Sequence, residues 1–233
     1  MLRRPFLMLA VVTLLLVSPI PLQTWRWTDA TLQPVDMVPG WQPVSALMQA
    51  DFDGDGRIER LSLLNGHATL QTDAQIRWQS PQTWQVRQAE VADLNGDGLP
   101  EAVLLVWRPF KSWPVDQWLP NGGRIDQFHN ADGFSCQLIL VGWYQNFFRE
   151  RWAGSALAEP VKSFAVVDLS GNGKQLLVTL EASYEDAESL PARRLKVWEW
   201  NGFGFRVVYQ MDGSFSQMVI ARAGAGLILL SAP

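Results

Sequence analysis

The sequence has very little cysteine and histidine, which excludes several kinds of site chemistry. Cys136 is the only cysteine, and His67 and His129 are the only histidines. A single cysteine allows neither an intramolecular disulfide nor a thiolate metal cluster. Because Cys136 begins the apolar run 136–141, we expect a buried, unreactive thiol rather than a catalytic nucleophile.

Charged side chains are also scarce, and the basic ones form no block. Only 18% of the 233 residues are charged, 48% are hydrophobic, and the net charge is −4. This composition supports a large core and argues against wholesale disorder. Without a basic block, nucleic acid is not an expected partner, whereas the acidic balance suits cation binding. The sequence also contains no Gly-x-Ser-x-Gly, His-Glu-x-x-His or P-loop motif, which favours a non-enzymatic protein.

The amino terminus has the pattern of an export signal. Arg3 and Arg4 precede the stretch 6–17, in which Thr13 is the one residue that is not apolar. That length is short for a spanning helix and typical of a signal sequence. We predict a signal peptide or membrane-anchor helix over residues 1–28, and an exported protein that is secreted, periplasmic or at the cell surface. Any contact with a membrane would be through this segment.

Two nine-residue loops, at 51–59 and 93–101, have the spacing of a calcium site. Oxygen-bearing side chains fall at positions one, three, five and nine, and glycine falls at position six. Ca²⁺ takes six to eight oxygen ligands, which such a loop wraps around one point. The predicted ligands are Asp51, Asp53, Asp55, the Arg57 carbonyl and Glu59 in the first loop, and Asp93, Asn95, Asp97, the Leu99 carbonyl and Glu101 in the second.

These loops allow two other interpretations. Aspartate and glycine favour ordinary turns, although two matches to one spacing, each followed by a strand, favour metal. An EF-hand needs flanking helices and a glutamate at position twelve, where this chain has Ser62 and Leu104. A third loop, 168–176, keeps only Asp168 as a charge. We predict that the third loop is empty and is held by side-chain hydrogen bonds.

The loops divide the chain into repeats. Each loop separates two predicted strands, and turn signals such as Asn65-Gly66 add two more, which predicts four-stranded antiparallel meanders. Asp93 follows Asp51 by 42 residues and Asp168 follows Asp93 by 75, so extra sequence is predicted at 108–134. A second insertion is predicted at 181–194, and a half-length fourth repeat after residue 215. We therefore expect an all-β array of about three full repeats and a partial fourth.

The pattern Asp-x-Asp/Asn-Gly-Asp-Gly-x-x-Glu between two short strands resembles the calcium loop of FG-GAP/VCBS repeats. These repeats form the β-propeller blades of integrin α-subunits and of many secreted bacterial proteins. The resemblance implies a propeller-like domain over residues 29–233, with four antiparallel strands in each blade and the loop joining the first two. Since such a loop fills the coordination sphere with protein atoms, structural calcium is expected.

Twelve tryptophans are present. Six lie in or beside predicted strands and are expected in the core: Trp78, Trp84, Trp107, Trp143, Trp198 and Trp200. Trp113 and Trp118 lie in the first insertion, where exposed aromatic rings suit sugar or protein surfaces. We predict a calcium-binding module for protein interaction or scaffolding. A lectin-like carbohydrate-binding protein and a hydrolase or lyase on a propeller scaffold are the alternatives, and the sequence does not identify the protein or glycan ligand.

Overall fold

The structure is a computed structural model that describes residues 22–36, 41–111, 118, 128–223 and 225–231. Within these residues the chain forms seventeen β-strands arranged in four antiparallel sheets. No helix in the described part of the chain is long and apolar enough to cross a bilayer. The all-β prediction is therefore confirmed.

Three of the sheets are simple meanders of four consecutive strands, as the repeats predict. Sheet I contains β4 (Gln49–Ala50), β5 (Glu59–Leu64), β6 (His67–Thr72) and β7 (Gln75–Gln79). Sheet II contains β8 (Gln85–Ala92), β9 (Glu101–Pro109), β10 (Phe134–Tyr144) and β11 (Phe147–Ala153). Sheet III contains β12 (Val161–Val167), β13 (Leu176–Glu181), β14 (Ala192–Trp200) and β15 (Phe205–Phe215).

The partial fourth repeat is completed by strands from the other end of the chain. Sheet IV contains β1 (Leu22–Thr28), β2 (Thr31–Val35), β3 (Gln42–Pro43), β16 (Gln217–Ala223) and β17 (Ala225–Ser231). Their order across the sheet is β2, β1, β17, β16 and β3. The pairing of β1 with β17 joins the two ends of the described chain, a long-range contact that a local repeat pattern does not reveal.

The predicted leader and the described fold overlap. Residues 1–21 of the leader, including its predicted helix, lie outside the described residues. The last seven residues, which the sequence analysis assigned to the leader, form β1 in the structure. Trp25 and Trp27 point to the same side of β1 and pack, partly buried, against the core between sheets III and IV, which favours a strand here.

Among the described residues the core contains three clusters, each between two neighbouring sheets. One joins sheets I and II, the next joins II and III, and the last joins III and IV. In β9, Leu104 and Val106 belong to the first cluster, whereas Val103 and Leu105 belong to the second. Successive side chains of a strand point to opposite faces, so a strand with both faces covered reads as a continuous apolar run. Sheets II and III are therefore each covered by a neighbouring sheet on both faces.

Strands of sheets II, III and IV, together with the segment 44–47 that leads into sheet I, meet around a cavity of about 400 Å³. Val44 N donates to Ile220 O at 2.8 Å, and Val91 N donates to Leu47 O at 2.8 Å. Glu90, which lines this cavity, accepts a hydrogen bond from Val166 N at 3.0 Å. Burial raises the pKa of Glu90 to about 7, although hydrogen bonds from Val166 N and the Gln88 side chain oppose the shift.

Because the strands are antiparallel, the predicted metal loops lie at one end of the strands and the two insertions lie at the other end. In sheet II the loop joins β8 to β9, and the first insertion joins the other end of β9 to β10. Sheet III repeats this arrangement with its loop and the second insertion. Trp113 lies outside the described residues, and Trp118 is 79% exposed. Trp84 and Trp107 are buried, and the other four expected core tryptophans are partly buried against the clusters.

Candidate metal centre

Each nine-residue loop joins the first two strands of its sheet. Position nine is the first residue of the second strand in all three cases, namely Glu59 in β5, Glu101 in β9 and Leu176 in β13. The strand ladder therefore fixes this residue, while positions one to eight form the turn. A carboxylate at position nine is held at the edge of the core rather than in solvent.

The first aspartate organises the turn by accepting backbone hydrogen bonds. Asp51 accepts from the N–H groups of Gly54 at 2.7 Å, Asp55 at 3.1 Å and Gly56 at 2.9 Å. Asp93 accepts from Gly96 at 2.8 Å, Asp97 at 3.1 Å and Gly98 at 2.9 Å. Asp168 accepts from Ser170 at 3.2 Å, Asn172 at 3.2 Å and Gly173 at 2.6 Å. The three loops thus share one frame built on position one.

The frame also needs glycine at two positions. Gly54 and Gly56 have φ angles of 74° and 87°, in the left-handed region that side chains with a Cβ rarely adopt. The equivalent glycines of the other two loops have φ angles between 71° and 89°. Since the third loop keeps this shape with Asp168 as its one acid, the backbone geometry alone does not distinguish a metal loop from a turn.

The first loop brings three predicted ligands together. One ligand oxygen from each of Asp51, Asp53 and Glu59 lies within 4.8 Å of the others. Ca²⁺–oxygen distances of about 2.3–2.6 Å put ligands on opposite sides of the ion about 4.6–5.2 Å apart, so the spread fits one Ca²⁺. Asp55 is not in this group, and its Oδ1 accepts from Arg57 N at 2.8 Å.

Glu59 connects the first loop to the interior. Its side chain is fully buried, with Oε2 accepting from Phe52 N at 2.9 Å and Oε1 accepting from Thr72 Oγ1 at 2.8 Å. Both oxygens therefore have a donor without any ion. Arg77 in β7 lies nearby, with Nη2 3.8 Å from Asp53 Oδ2, and it supplies a partial counter-charge.

The second loop holds a buried carboxylate with an unpartnered oxygen. Glu101 is 1% exposed, and its Oε2 has no hydrogen-bond partner. Burial raises the pKa of Glu101 to about 8, and the nearby charges of Asp97 and Asp93 raise it further, while Arg151 and the backbone N–H of Leu94 oppose them. A buried oxygen without a partner destabilises a fold, and a bound cation would satisfy this one.

The Asn95 amide and the Arg151 guanidinium contact the carboxylates of the second loop. Asn95 Nδ2 donates to Glu101 Oε1, and Asn95 Oδ1 accepts from Asp97 N at 2.8 Å. Arg151 Nη2, from β11, lies 3.1 Å from Asp97 Oδ2. Coordination by Asn95 would require its oxygen, so the amide would have to rotate. The second loop is therefore less ready for a metal than the first.

The third loop has the hydrogen bonds that the sequence predicts and few of the ligands. Asn172 Oδ1 accepts from Lys174 N at 3.0 Å, in addition to the bonds to Asp168. Lys174, at position seven of this loop, forms an ion pair with Glu199 of β14, so the loop itself carries a cation. Its lack of bound metal stays a prediction.

Sequence reasoning missed the two arginines beside the loops. Arg77 and Arg151 lie in the fourth strands of sheets I and II, far along the chain from the acids that they approach. Their only local signal is a cationic residue within a predicted edge strand. A scan against models of known protein families finds no match for this chain, and neither does a search of curated proteins.

Proposed function

We propose that this protein is an exported, calcium-binding, propeller-like module for protein interaction or scaffolding, in which calcium has a structural role. The observation that carries the proposal is the convergence of Asp51, Asp53 and Glu59 within 4.8 Å at the start of β5. The unpartnered oxygen of Glu101 at the equivalent place in sheet II supports a second ion. FG-GAP/VCBS repeats remain the family that the loops resemble.

The propeller-like arrangement is supported by three features. Successive sheets are meanders with the loop between their first two strands. Strands of sheets II, III and IV and the segment 44–47, which leads into sheet I, border one cavity. Sheet IV combines strands from both ends of the described chain, which is a way to close a ring of sheets.

The structural role of calcium follows from the position of its ligands. An ion held by Asp51, Asp53 and Glu59 would link the β4–β5 turn to the first residue of β5. The Glu59 carboxylate also accepts a hydrogen bond from Thr72 in β6, so the ion would connect the turn to two strands. A ligand that binds only the folded state stabilises it by RT ln(1 + [L]/Kd), about 2.7 kcal/mol at a hundredfold excess over Kd. Calcium is thus expected to strengthen the fold rather than to act on a substrate.

Thermal melting of the full-length protein tests this proposal. The melting temperature should fall with a chelator and recover with Ca²⁺. Mg²⁺ should restore less, because it requires a smaller, near-octahedral shell and releases water reluctantly. An identical melting temperature in calcium and in chelator would refute the structural role of calcium and indicate that the loops are ordinary turns. Export is tested separately, since full-length protein found in the cytoplasm after cell fractionation would contradict it.

One observation favours the carbohydrate-binding alternative. Trp118, within the first insertion, is 79% exposed, and exposed indole rings provide flat apolar faces for sugars. Trp118→Ala should abolish any signal on a glycan array, whereas Trp84→Ala, at a buried ring, would act only through folding. The hydrolase or lyase alternative stays a prediction of the sequence.

A further inference from the structure

The fourth strands of sheets I, II and III each contain a β-bulge. Its extra residue is Arg77 in β7, Arg151 in β11 and Val208 in β15. The three bulges lie at equivalent places, because each falls beside the third-strand residue that pairs with the residue after position nine of the loop. These third-strand residues are Gln71, Val141 and Trp198. Arginine thus occupies the bulge in the two sheets with acid-rich loops, and valine occupies it in the sheet whose loop has one acid.

The bulge directs Arg151 toward the second loop. Bulges commonly re-aim a side chain next to a functional site, and the Arg151 side chain is only 22% exposed. Its Nη2 lies 3.1 Å from Asp97 Oδ2, and its Nη1 donates to Trp143 O at 2.8 Å. Its Cζ lies 5.2 Å from the centroid of the Tyr144 ring, where cation–π attraction adds to the other contacts. The guanidinium is therefore a fixed positive charge at a carboxylate that is a predicted metal ligand.

A glycine beside Glu101 gives Arg151 the room to come this close. By register, Gly142 lies opposite Glu101, as Thr72 lies opposite Glu59 in sheet I. A Cβ at Gly142 would lie 3.1 Å from Glu101 Cγ and 3.2 Å from Arg151 Cγ, so both side chains pass over a position that has no side chain of its own. Because Thr72 Oγ1 donates to Glu59 Oε1 in the first loop, the glycine also removes the equivalent donor from Glu101.

The contacts of Arg77 in sheet I are longer. Its Nη2 lies 3.8 Å from Asp53 Oδ2, and its Nη1 lies 3.4 Å from Thr72 Oγ1. The first loop also has four predicted acidic ligands, whereas the second has three. The first loop therefore offers an ion more negative charge and less competition from its arginine.

In the second loop, Arg151 supplies part of what an ion would supply. Asp97 Oδ2 has Arg151 Nη2 at 3.1 Å and Asn95 Nδ2 at 3.3 Å. Asp97 Oδ1 accepts from Leu99 N at 3.0 Å, so an ion would have to displace the guanidinium to reach this carboxylate. Glu101 is 1% exposed, and its Oε2 still has no partner. The arginine thus compensates charge but leaves this buried oxygen for a metal.

We propose that Arg151 is a built-in competitor of Ca²⁺ at the second loop, and that it sets the affinity of this site below the affinity of the first. This inference rests on the proposed function, since it requires calcium at the second loop. The first site stays occupied over a calcium range in which the second fills and empties. The charge of Arg151 acts on a divalent ion at close range in a partly buried setting, so its removal should tighten binding about tenfold or more.

Calcium titration by isothermal calorimetry compares Arg151→Met with wild type, as chelator-treated full-length proteins. Methionine keeps an apolar stem over Gly142 and removes the charge. The weaker of the two binding events should tighten about tenfold or more, while the tighter event stays unchanged. Glu101→Gln removes a ligand of the second loop and identifies its event by weakening it. Weakening of the tighter event instead would contradict the ranking of the two sites.

Two control variants separate the charge of Arg151 from its structural contacts. Arg151→Lys keeps the charge and should change the weaker event much less than methionine does. Arg77→Met removes the equivalent residue of sheet I and should leave the weaker event unchanged. In chelator, Arg151→Met should melt below wild type, because the acids of the second loop lose their counter-charge, and this difference should shrink in saturating Ca²⁺. An arginine that only supports the fold would lower the melting temperature equally in both conditions.

The outcomes distinguish a failure of this inference from a failure of the calcium proposal. Two events in wild type, with the weaker one unchanged or weakened in Arg151→Met, would refute the role of Arg151 alone. Equal tightening in Arg151→Lys or in Arg77→Met would refute it as well, whereas a second event that appears only in Arg151→Met would support it. No heat of binding in folded wild type and folded Arg151→Met would refute calcium binding, and this inference with it.

Discussion

Replacing Glu101 with glutamine should have opposite effects with and without calcium. In chelator, the wild-type protein buries a carboxylate whose Oε2 has no partner, close to Asp93 and Asp97. An unsatisfied buried polar group costs about 1–3 kcal/mol, and more when charged. At a pH above 8, where Glu101 is ionised in spite of its raised pKa of about 8, Glu101→Gln removes the charge and supplies an amide donor for the neighbouring acids. The variant should therefore unfold at a higher temperature than wild type when calcium is absent.

Calcium should reverse this order. A shift of 1 kcal/mol changes the melting temperature of a chain of this size by about 2–4 °C, so the gain in chelator should be about 2–12 °C. In saturating Ca²⁺ the wild type gains the binding energy of an ion at the second loop, whereas the variant has lost an anionic ligand. Differential scanning calorimetry of both proteins, in chelator and in saturating Ca²⁺, measures this reversal of their melting temperatures.

Glu59→Gln is the control at the equivalent position of the first loop. Both Glu59 oxygens already accept hydrogen bonds, from Phe52 N and Thr72 Oγ1, so this substitution relieves no unpartnered atom and should not stabilise the chelated protein. The reasoning would be refuted if Glu101→Gln melted below wild type in chelator, or if it still melted above wild type in saturating Ca²⁺.

Two further predictions concern other charges. Asp53→Ala should reduce the calcium-induced rise in melting temperature more than Asn95→Ala, because it removes a charge as well as an oxygen; equal effects in parallel melts would contradict the ranking. Between its ordinary pKa of 4.5 and its raised pKa of about 7, Glu90 takes up a proton when the protein folds. Its contribution to the free energy of unfolding is therefore fully present below pH 4.5 and is lost as the pH rises through 7. The total loss is about 3 kcal/mol. Urea unfolding from pH 4 to 8 should show that Glu90→Gln flattens this decline, and an identical pH profile would contradict it.

Local signals predicted the repeated part of the fold well. The Asn65-Gly66 pair forms the turn between β5 and β6, with φ angles of 51° and 78°. The apolar run after the second loop became β9, buried on both faces. These features depend on residues close together in sequence, whose turn chemistry and alternation are visible without the structure.

Features that depend on distant residues were not predictable in this way. Pairing of β1 with β17 joins residues about two hundred positions apart, and no period reveals such a contact. The approach of Arg151 to Asp97 follows from the twist and register of sheet II. The rotation of the Asn95 amide toward Glu101 depends on a local charge balance that residue spacing does not encode.

Calcium titration of chelator-treated full-length protein by isothermal calorimetry tests the metal proposal most directly. Two binding events are predicted, one for each of the first two loops, and Asp168→Ala should leave both intact. A titration without heat of binding, in protein shown by circular dichroism to be folded, would contradict calcium binding at either loop. A third event that disappears in Asp168→Ala would contradict the prediction that the third loop is empty.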